Sequence, residues 1–305
     1  MRWVMRIGGV LVAALVALLV LVLIPAQVQV RGVEPALPDE GSLRALLSEP
    51  NGPVRVRFVN TSTQEAPGRR LGHIVFLVEW ADGRIFMVDA GMDRDQAIEF
   101  GRLMETAYGA DEAVSHGDIA ALLGDDLQKV QGTGFTHLHI DHTQGVVPFC
   151  AARGRGATVY QTPSQAELHN FNTEGGAEII AESCLLAELV PGQGALAVEG
   201  FPGLVMVPVG GHTPGSTIFA IAEHDRIWIL SGDTTNTKAD LLSNTGKGFL
   251  YSQILVPENT ERTERLRLWL TELDAKEDMT VVVSHDLTEV ERSGMLEYGR
   301  AEPGR

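Results

Sequence analysis

The sequence predicts an α/β protein: two sheets packed together with helices outside, preceded by one apolar segment. Three observations point there. Short apolar strand-like runs arrive in clusters in both halves of the chain, helical patterns lie between the clusters, and the length and composition suit a folded core. The chain has 305 residues, 44% hydrophobic and 21% charged, which is enough for one large domain or two modest ones of ordinary globular composition. A disordered, collagen-like or coiled-coil protein is excluded.

The elements read as follows. Arg2 and Arg6 precede an uncharged apolar run, Ile7 to Ile24, which Pro25 is expected to break. At 1.5 Å per residue this run reaches about 27 Å, near the thickness of a bilayer core. It is apolar on every side, unlike a surface helix of a soluble domain. Residues 1–26 are therefore read as a signal peptide or N-terminal membrane anchor. The arginine flank keeps the N-terminus in the cytoplasm and sends the rest outward. Bulky Ile24 two residues before the best cleavage site, after Ala26, favours an anchor. This implies membrane anchoring through residues 7–24, and a protein that is periplasmic or held on the outer face of the cytoplasmic membrane.

Residues 27–50 read as a linker with one helical turn near Leu43–Leu47. Strands are expected at Val54–Val59, His73–Trp80 and Ile85–Asp89. The last two are joined by Ala81-Asp82-Gly83-Arg84, a hairpin loop with an Asp-Gly signal. Helices follow at Asp93–Tyr108 and Asp118–Leu123, then a strand ending at Thr136. Further strands are expected at Thr158–Gln161, Leu204–Val209, Thr217–Ala222, Arg226–Ser231 and Met279–Ser284, with a charged helix at Glu258–Leu273. Glu174–Gly200, rich in Ala, Glu and Gly, reads as a helix and a long loop. Residues 51–290 thus form the domain, and 291–305 a C-terminal tail.

Charge excludes one class of partner. The net charge is −16, and −18 once residues 1–30 with their two arginines are set aside. No basic run exceeds the pair Arg69–Arg70, so nucleic acid is not an expected partner and a small molecule is. The two cysteines, Cys150 and Cys184, do not make a disulfide scaffold. They either pair in an oxidising compartment or stay as separate buried thiols.

The chemistry concentrates in Thr136-His137-Leu138-His139-Ile140-Asp141-His142. Four candidate metal ligands follow an apolar strand. On an extended segment His137 and His139 point the same way, and a following turn lets Asp141 and His142 face the same space. Neutral imidazole with carboxylate is a donor set that zinc takes readily. Three singletons follow at strand ends: His212 in Gly-Gly-His-Thr-Pro-Gly, Asp233 in Leu-Ser-Gly-Asp and His285 in Val-Val-Val-Ser-His-Asp. Each alone reads as an ordinary core histidine or turn aspartate. Together they place five of nine histidines in one ordered set.

On these motifs the sequence resembles the metallo-β-lactamase superfamily of metallohydrolases, over roughly residues 54–290. The resemblance implies a four-layer αββα sandwich with a dinuclear site at one edge of the sheets. It assigns His137, His139 and His212 to a first metal, and Asp141, His142 and His285 to a second. Asp233 bridges the two, and Asp89, in Val-Asp-Ala-Gly, supports the ligands from behind. Two divalent ions, zinc by expectation and iron or manganese as alternatives, acidify a shared water so that hydroxide attacks a carbonyl or phosphoryl centre. Asp141 is the expected catalytic residue, orienting the water or taking its proton.

Within the superfamily, β-lactamases typically lack an aspartate at the position of Asp233. Glyoxalase II-like thioesterases carry a helical domain after the last histidine, where only 20 residues follow His285. The tRNA nucleases need a basic surface. Acyl-homoserine lactonases resemble the ligand set best, although Asn236 stands where they carry a tyrosine. Tyr160, His169 and Phe171 read first as packing residues. The expected function is a dinuclear metal-dependent hydrolase of an ester- or lactone-type carbonyl. The alternatives are a β-lactamase-like or phosphodiester hydrolase on the same site, or a non-catalytic metal-binding protein.

Overall fold

The computed structural model describes residues 2–154 and 156–300. Its strands are β1 (Arg55–Ala66), β2 (Arg69–Glu79), β3 (Ile85–Val88), β4 (Val114–Ser115), β5 (Val130–Gly134), β6 (Thr158–Gln161), β7 (Leu186–Leu189), β8 (Leu196–Ala197), β9 (Leu204–Pro208), β10 (Thr217–Glu223), β11 (Arg226–Leu230), β12 (Met279–Val282) and β13 (Leu296–Glu297). One sheet runs β13-β1-β2-β3-β5-β6-β7, with β4 also paired to β1, and the other runs β12-β11-β10-β9-β8. The helices are α1 (Arg2–Arg31), α2 (Glu40–Leu47), α3 (Arg94–Tyr108), α4 (Ile119–Leu123), α5 (Ile140–Thr143), α6 (Val146–Arg153), α7 (Pro163–Glu167), α8 (Glu174–Ala181), α9 (Lys238–Leu242), α10 (Thr260–Asp274) and α11 (Leu287–Arg292).

Period-two alternation builds the layers. On β2, Ile74, Phe76 and Val78 join Phe86, Met206, Phe219, Trp228 and Leu230 between the sheets. Val75 and Leu77, on the opposite face, pack with Ile119, Val146, Phe149 and Ile180 of the helices outside the first sheet. On the second sheet, Val205, Val207, Ile218 and Ile229 face Leu43 of α2 and Leu266, Leu270 and Leu273 of α10. Three stacked cores give four layers, the αββα sandwich.

Local signals start the helices. Asp93, Asp118, Asn259 and Asp286 each accept a bond from the backbone N–H three residues on, satisfying donors that the first turn leaves free.

Four expectations need correcting. Pro25 lies inside α1, which continues to Arg31. A proline costs one helical hydrogen bond there, but the following turn is anchored by the domain: Ala26 and Val30 are buried, and the Gln27 and Gln29 side chains donate to the backbone of residues 252, 253 and 169. Residues 27–50, expected as a linker, are anchored to the domain at several points. Asn259 donates to Glu34, Arg262 donates to the Pro35 carbonyl, and Leu43 and Leu47 bury into the core beneath α10. The loop expected within 174–200 contributes β7 and β8 to the two sheet edges, where backbone pairing outweighs weak side-chain patterning. The tail expected at 291–305 is tied down as far as β13, which pairs in parallel with β1 while Met295 enters the core. Residues 301–305 lie outside the described residues.

Cys150 on α6 and Cys184 after α8 are joined as a disulfide. Unfolded protein without reductant should therefore titrate no free thiol, and reduced protein two. Finding two thiols before reduction would show that the bond does not form.

Candidate metal centre

Every ligand candidate hangs from the same edge of the sandwich. His137 and His139 follow β5, and the turn expected after them is the single helical turn α5, which carries Asp141 and His142. His212 follows β9, Asp233 follows β11 and His285 follows β12. Gly232 lets β11 turn into Asp233: its φ is +56°, and a Cβ there would come within 2.8 Å of the Thr136 side chain. Gly145 allows α5 to close onto the Asp89 loop, since a Cβ would meet the Ala90 carbonyl oxygen at 2.0 Å.

The structure brings together all seven residues. His137, His139 and His212 present nitrogens within 4.8 Å of one another. Beside them, His142 Nε2 and His285 Nε2 are 3.1 Å apart. Asp233 lies between the two groups. Its Oδ1 is 3.1 Å from His285 Nε2 and 3.6 Å from His142 Nε2, and its Oδ2 is 3.8 Å from His212 Nε2. Asp141 Oδ2 is 3.3 Å from His285 and 3.7 Å from His142.

The surrounding hydrogen bonds set the tautomers. A carbonyl or carboxylate oxygen can only accept, so each ring nitrogen facing one carries the proton. His142 Nδ1 donates to Asp89 at 2.9 Å, His285 Nδ1 to the Gly72 carbonyl at 2.9 Å, and His212 Nδ1 to Glu258 at 2.5 Å. Whenever such a ring is neutral, as a metal ligand must be, its lone pair is left on Nε2, pointing inward. His139 Nε2, His212 Nε2 and Asp233 Oδ1 are buried with no hydrogen-bond partner. Inward lone pairs and orphaned buried acceptors are what a pair of divalent cations would satisfy. The residues present therefore fit two metals.

Asp89 is wholly buried and takes a left-handed backbone conformation, φ +62°, which Asp tolerates better than most residues. Its Oδ1 accepts from the Thr136 N–H at 2.7 Å, while Oδ2 accepts from the Thr136 hydroxyl and from His142. It thus couples the strand-end loop before α3 to the ligand loop.

The electrostatics are divided across the site. Burial, followed by neighbouring imidazoles, lowers His137 well below its usual range and His139 to about 3. Burial also opposes charge on His142 and His285, but Asp89 and Asp141 overcome it at the first. Asp233 and Asp141 overcome it at the second, raised to about 9. Asp233 is held well below the carboxylate range: burial works against this, and His285 and Lys247 outweigh it.

Sequence reading missed four residues here. His73, on β2, joins Asp141 and His285 as a further group of potential ligands, with Nδ1 bonded to Ser62 at 2.8 Å. Lys247, its side chain 2% exposed, reaches Asp233 at 3.4 Å and Glu258 at 3.5 Å, and stands over the Tyr251 ring at 5.2 Å. Glu258 accepts from both His212 and the Ser252 hydroxyl, and is lowered to about 2 because Lys247 and His212 outweigh its burial. Burial pushes the Tyr251 phenol up, so it stays protonated at neutral pH. Single residues of this kind carry no spacing signal. A glutamate opening a predicted helix, in a chain already suspected of binding metal through histidine, was the one usable hint. Tyr160 belongs to the core, as expected of a packing residue, whereas Phe171 is exposed.

With this geometry in hand, comparison with known proteins is decisive for the family. The model of the metallo-beta-lactamase superfamily matches residues 68–285. The chain belongs to the metallo-beta-lactamase superfamily. No curated protein matches it by sequence. Among solved structures it is similar to an N-acyl homoserine lactone hydrolase with the product N-hexanoyl-L-homoserine bound at the catalytic metal centre (17% identity, 80% of this chain and 98% of that chain, TM-score 0.59). It is also similar to a quorum-quenching N-acyl homoserine lactone lactonase (17%, 80% and 97%, TM-score 0.60). A third is a variant of B. thuringiensis AiiA with N-decanoyl-L-homoserine bound at the active site (16%, 80% and 98%, TM-score 0.59). At these identities the likeness is one of fold. In this superfamily member the fold extends beyond the matched span at both ends, through β1 and β13.

Proposed function

We propose that the protein is a dinuclear metal-dependent hydrolase acting on an ester- or lactone-type carbonyl of a small substrate, held by α1 on the outer face of the cytoplasmic membrane. The observation that carries the reaction class is the complete donor set. Three histidines have Nδ1 committed to fixed acceptors, and one aspartate divides its two oxygens between the two groups.

His137, His139 and His212 would hold one ion and Asp141, His142 and His285 the other, with Asp233 between them. Two divalent ions there supply Lewis acidity and an acidified water. Asp89 and Glu258 hold the imidazoles in the metal-binding tautomer, and the Gly72 carbonyl does the same for His285. Asp141, which faces His285 and His142, would orient the attacking water and accept its proton. Lys247 offsets the negative charge of Asp233 and Glu258. The carbonyl reading is supported by the acidic body, which disfavours polyanionic substrates, and by the lactone hydrolases among the similar folds.

Elemental analysis of metal-replete protein should give two equivalents, zinc by expectation; fewer than one would overturn the site. A screen across lactones, esters, thioesters, phosphodiesters and β-lactams should find turnover at a carbonyl centre. Rapid phosphodiester cleavage with no carbonyl hydrolysis would reassign the substrate class. No protein nucleophile is required, so mass spectrometry during turnover should show only unmodified chain. An accumulating acyl adduct would refute the direct attack of water.

Membrane placement has its own test. The 18 residues Ile7 to Ile24 carry no charge, and Arg2 and Arg6 precede them. Among the described residues, α1 is the one helix long and apolar enough to cross a bilayer. A reporter enzyme that works only outside the cytoplasm, fused after Arg305, should be active. A stable but inactive fusion would reverse the orientation.

A further inference from the structure

The foot of α1 is bonded to two segments that together carry five exposed apolar side chains. Gln27 Nε2 donates to the Ser252 and Gln253 carbonyls at 3.2 Å, Arg31 donates to the Gln253 side chain at 3.1 Å, and Gln29 donates to the His169 carbonyl at 2.9 Å. Asn172 ties the two segments together by donating to the Leu255 carbonyl at 3.2 Å. In a chain of net charge −16, no charged residue occurs from Gly248 to Pro257. Phe249 is 79% exposed and Leu250 62%, with Ile254, Leu255 and Phe171 also in solvent. Scattered exposed leucines mean little. A contiguous apolar surface beside the end of a spanning helix has a ready partner in lipid.

Position agrees with this. Gln27 lies three residues beyond Ile24, where the apolar run ends, so its contacts sit roughly 5 Å beyond the hydrocarbon boundary, within the headgroup layer. Arg31, about 10 Å beyond the boundary, adds a cation at the outer side of the headgroups, which suits anionic lipid. Ala26 and Val30 are buried against the domain, so α1 cannot swing away without exposing them. The same loop also reaches the metal centre: Lys247 contacts Asp233, and Ser252 donates to Glu258, which holds His212.

We propose that the surface formed by Phe249, Leu250, Ile254, Leu255 and Phe171 rests in the outer headgroup layer of the bilayer that α1 crosses, so that the metal centre takes substrate dissolved in the membrane. The seating rests on the membrane placement given above, and the substrate class, an amphiphile with an acyl chain, rests on the hydrolase reading.

The full chain in phosphatidylcholine vesicles containing phosphatidylglycerol is the test material. With Cys150 and Cys184 joined, an introduced cysteine is the reactive thiol for a spin label. A label at Leu250→Cys should collide more with oxygen than with a water-soluble nickel chelate. A label at Asp225→Cys, in the exposed turn between β10 and β11 at the opposite end of β11 from Asp233, should show the reverse. Equal behaviour at the two positions overturns the seating, as does a mature chain whose mass lacks residues 1–26. Changing Phe249 and Leu250 together to Ser should lower the kcat/KM ratio for a long-chain over a short-chain acyl ester about tenfold, the effect of one lost apolar side-chain contact. An unchanged ratio overturns the membrane route for substrate. Absence of any acyl turnover by the unaltered protein overturns the hydrolase reading, and the spin labels still decide the seating.

Discussion

Asp233→Ala is expected to reduce hydrolysis about a thousandfold and to lower bound metal from two equivalents toward one. Asp233 is the only one of the seven assigned ligands whose oxygens face both groups, Oδ1 toward His142 and His285 and Oδ2 toward His212. Removing it takes the shared carboxylate from both ions and leaves Lys247 buried, with Glu258 as its remaining carboxylate contact among the described residues. A bound ion acting on the reacting oxygens contributes several kcal/mol, and each 1.4 kcal/mol is tenfold in rate. Elemental analysis and steady-state kinetics on the same preparation check it. Two equivalents retained with normal turnover would show that Asp233 does not bridge.

Asp89→Asn is expected to leave the fold in place and weaken metal binding by about ten- to a hundredfold, the usual range for a residue supporting a metal-bound histidine. Asn has the shape of Asp and tolerates the left-handed backbone of this position. Its oxygen can still accept from the Thr136 N–H, which turns the amide NH2 toward His142 Nδ1. That nitrogen must then accept, so the proton moves to Nε2, the atom that faces Asp141, Asp233 and His285. Asp89→Ala should do more harm, because Thr136 N–H and His142 Nδ1–H would both lose a buried acceptor, at about 1–3 kcal/mol each. Metal titration followed by thermal unfolding of the metal-free variants separates the two. Normal affinity in Asp89→Asn would mean that the tautomer is set elsewhere.

Much of the candidate site was legible because its candidate ligands come in motifs. Within residues 137–142 the spacing alone predicts convergence, since alternation along a strand is a local property. His212, Asp233 and His285 were legible as strand-end residues followed by turns. The supporting residues were not. Glu258 is 46 positions from His212, and His73 is 68 positions before Asp141; such pairs are made by packing and leave no periodicity. The same holds for the ends of the domain. Residues 27–50 lack pattern because the second sheet and α10 supply the order that their own propensities do not.

The sequence by itself determined the two-sheet architecture, through period-two strands and capped helices, and it singled out the seven candidate side chains that the fold gathers at one edge. Both are encoded over a few residues, by side-chain alternation and by turn-forming neighbours. The tertiary structure decided the rest: the tautomers of His142, His212 and His285, the insertion of Lys247 between two carboxylates, the disulfide, and the docking of the α1 foot against the loop that reaches the candidate metal centre. These depend on which distant segments meet, and a hydrogen bond or ion pair acts only over a few ångströms, whatever the separation along the chain.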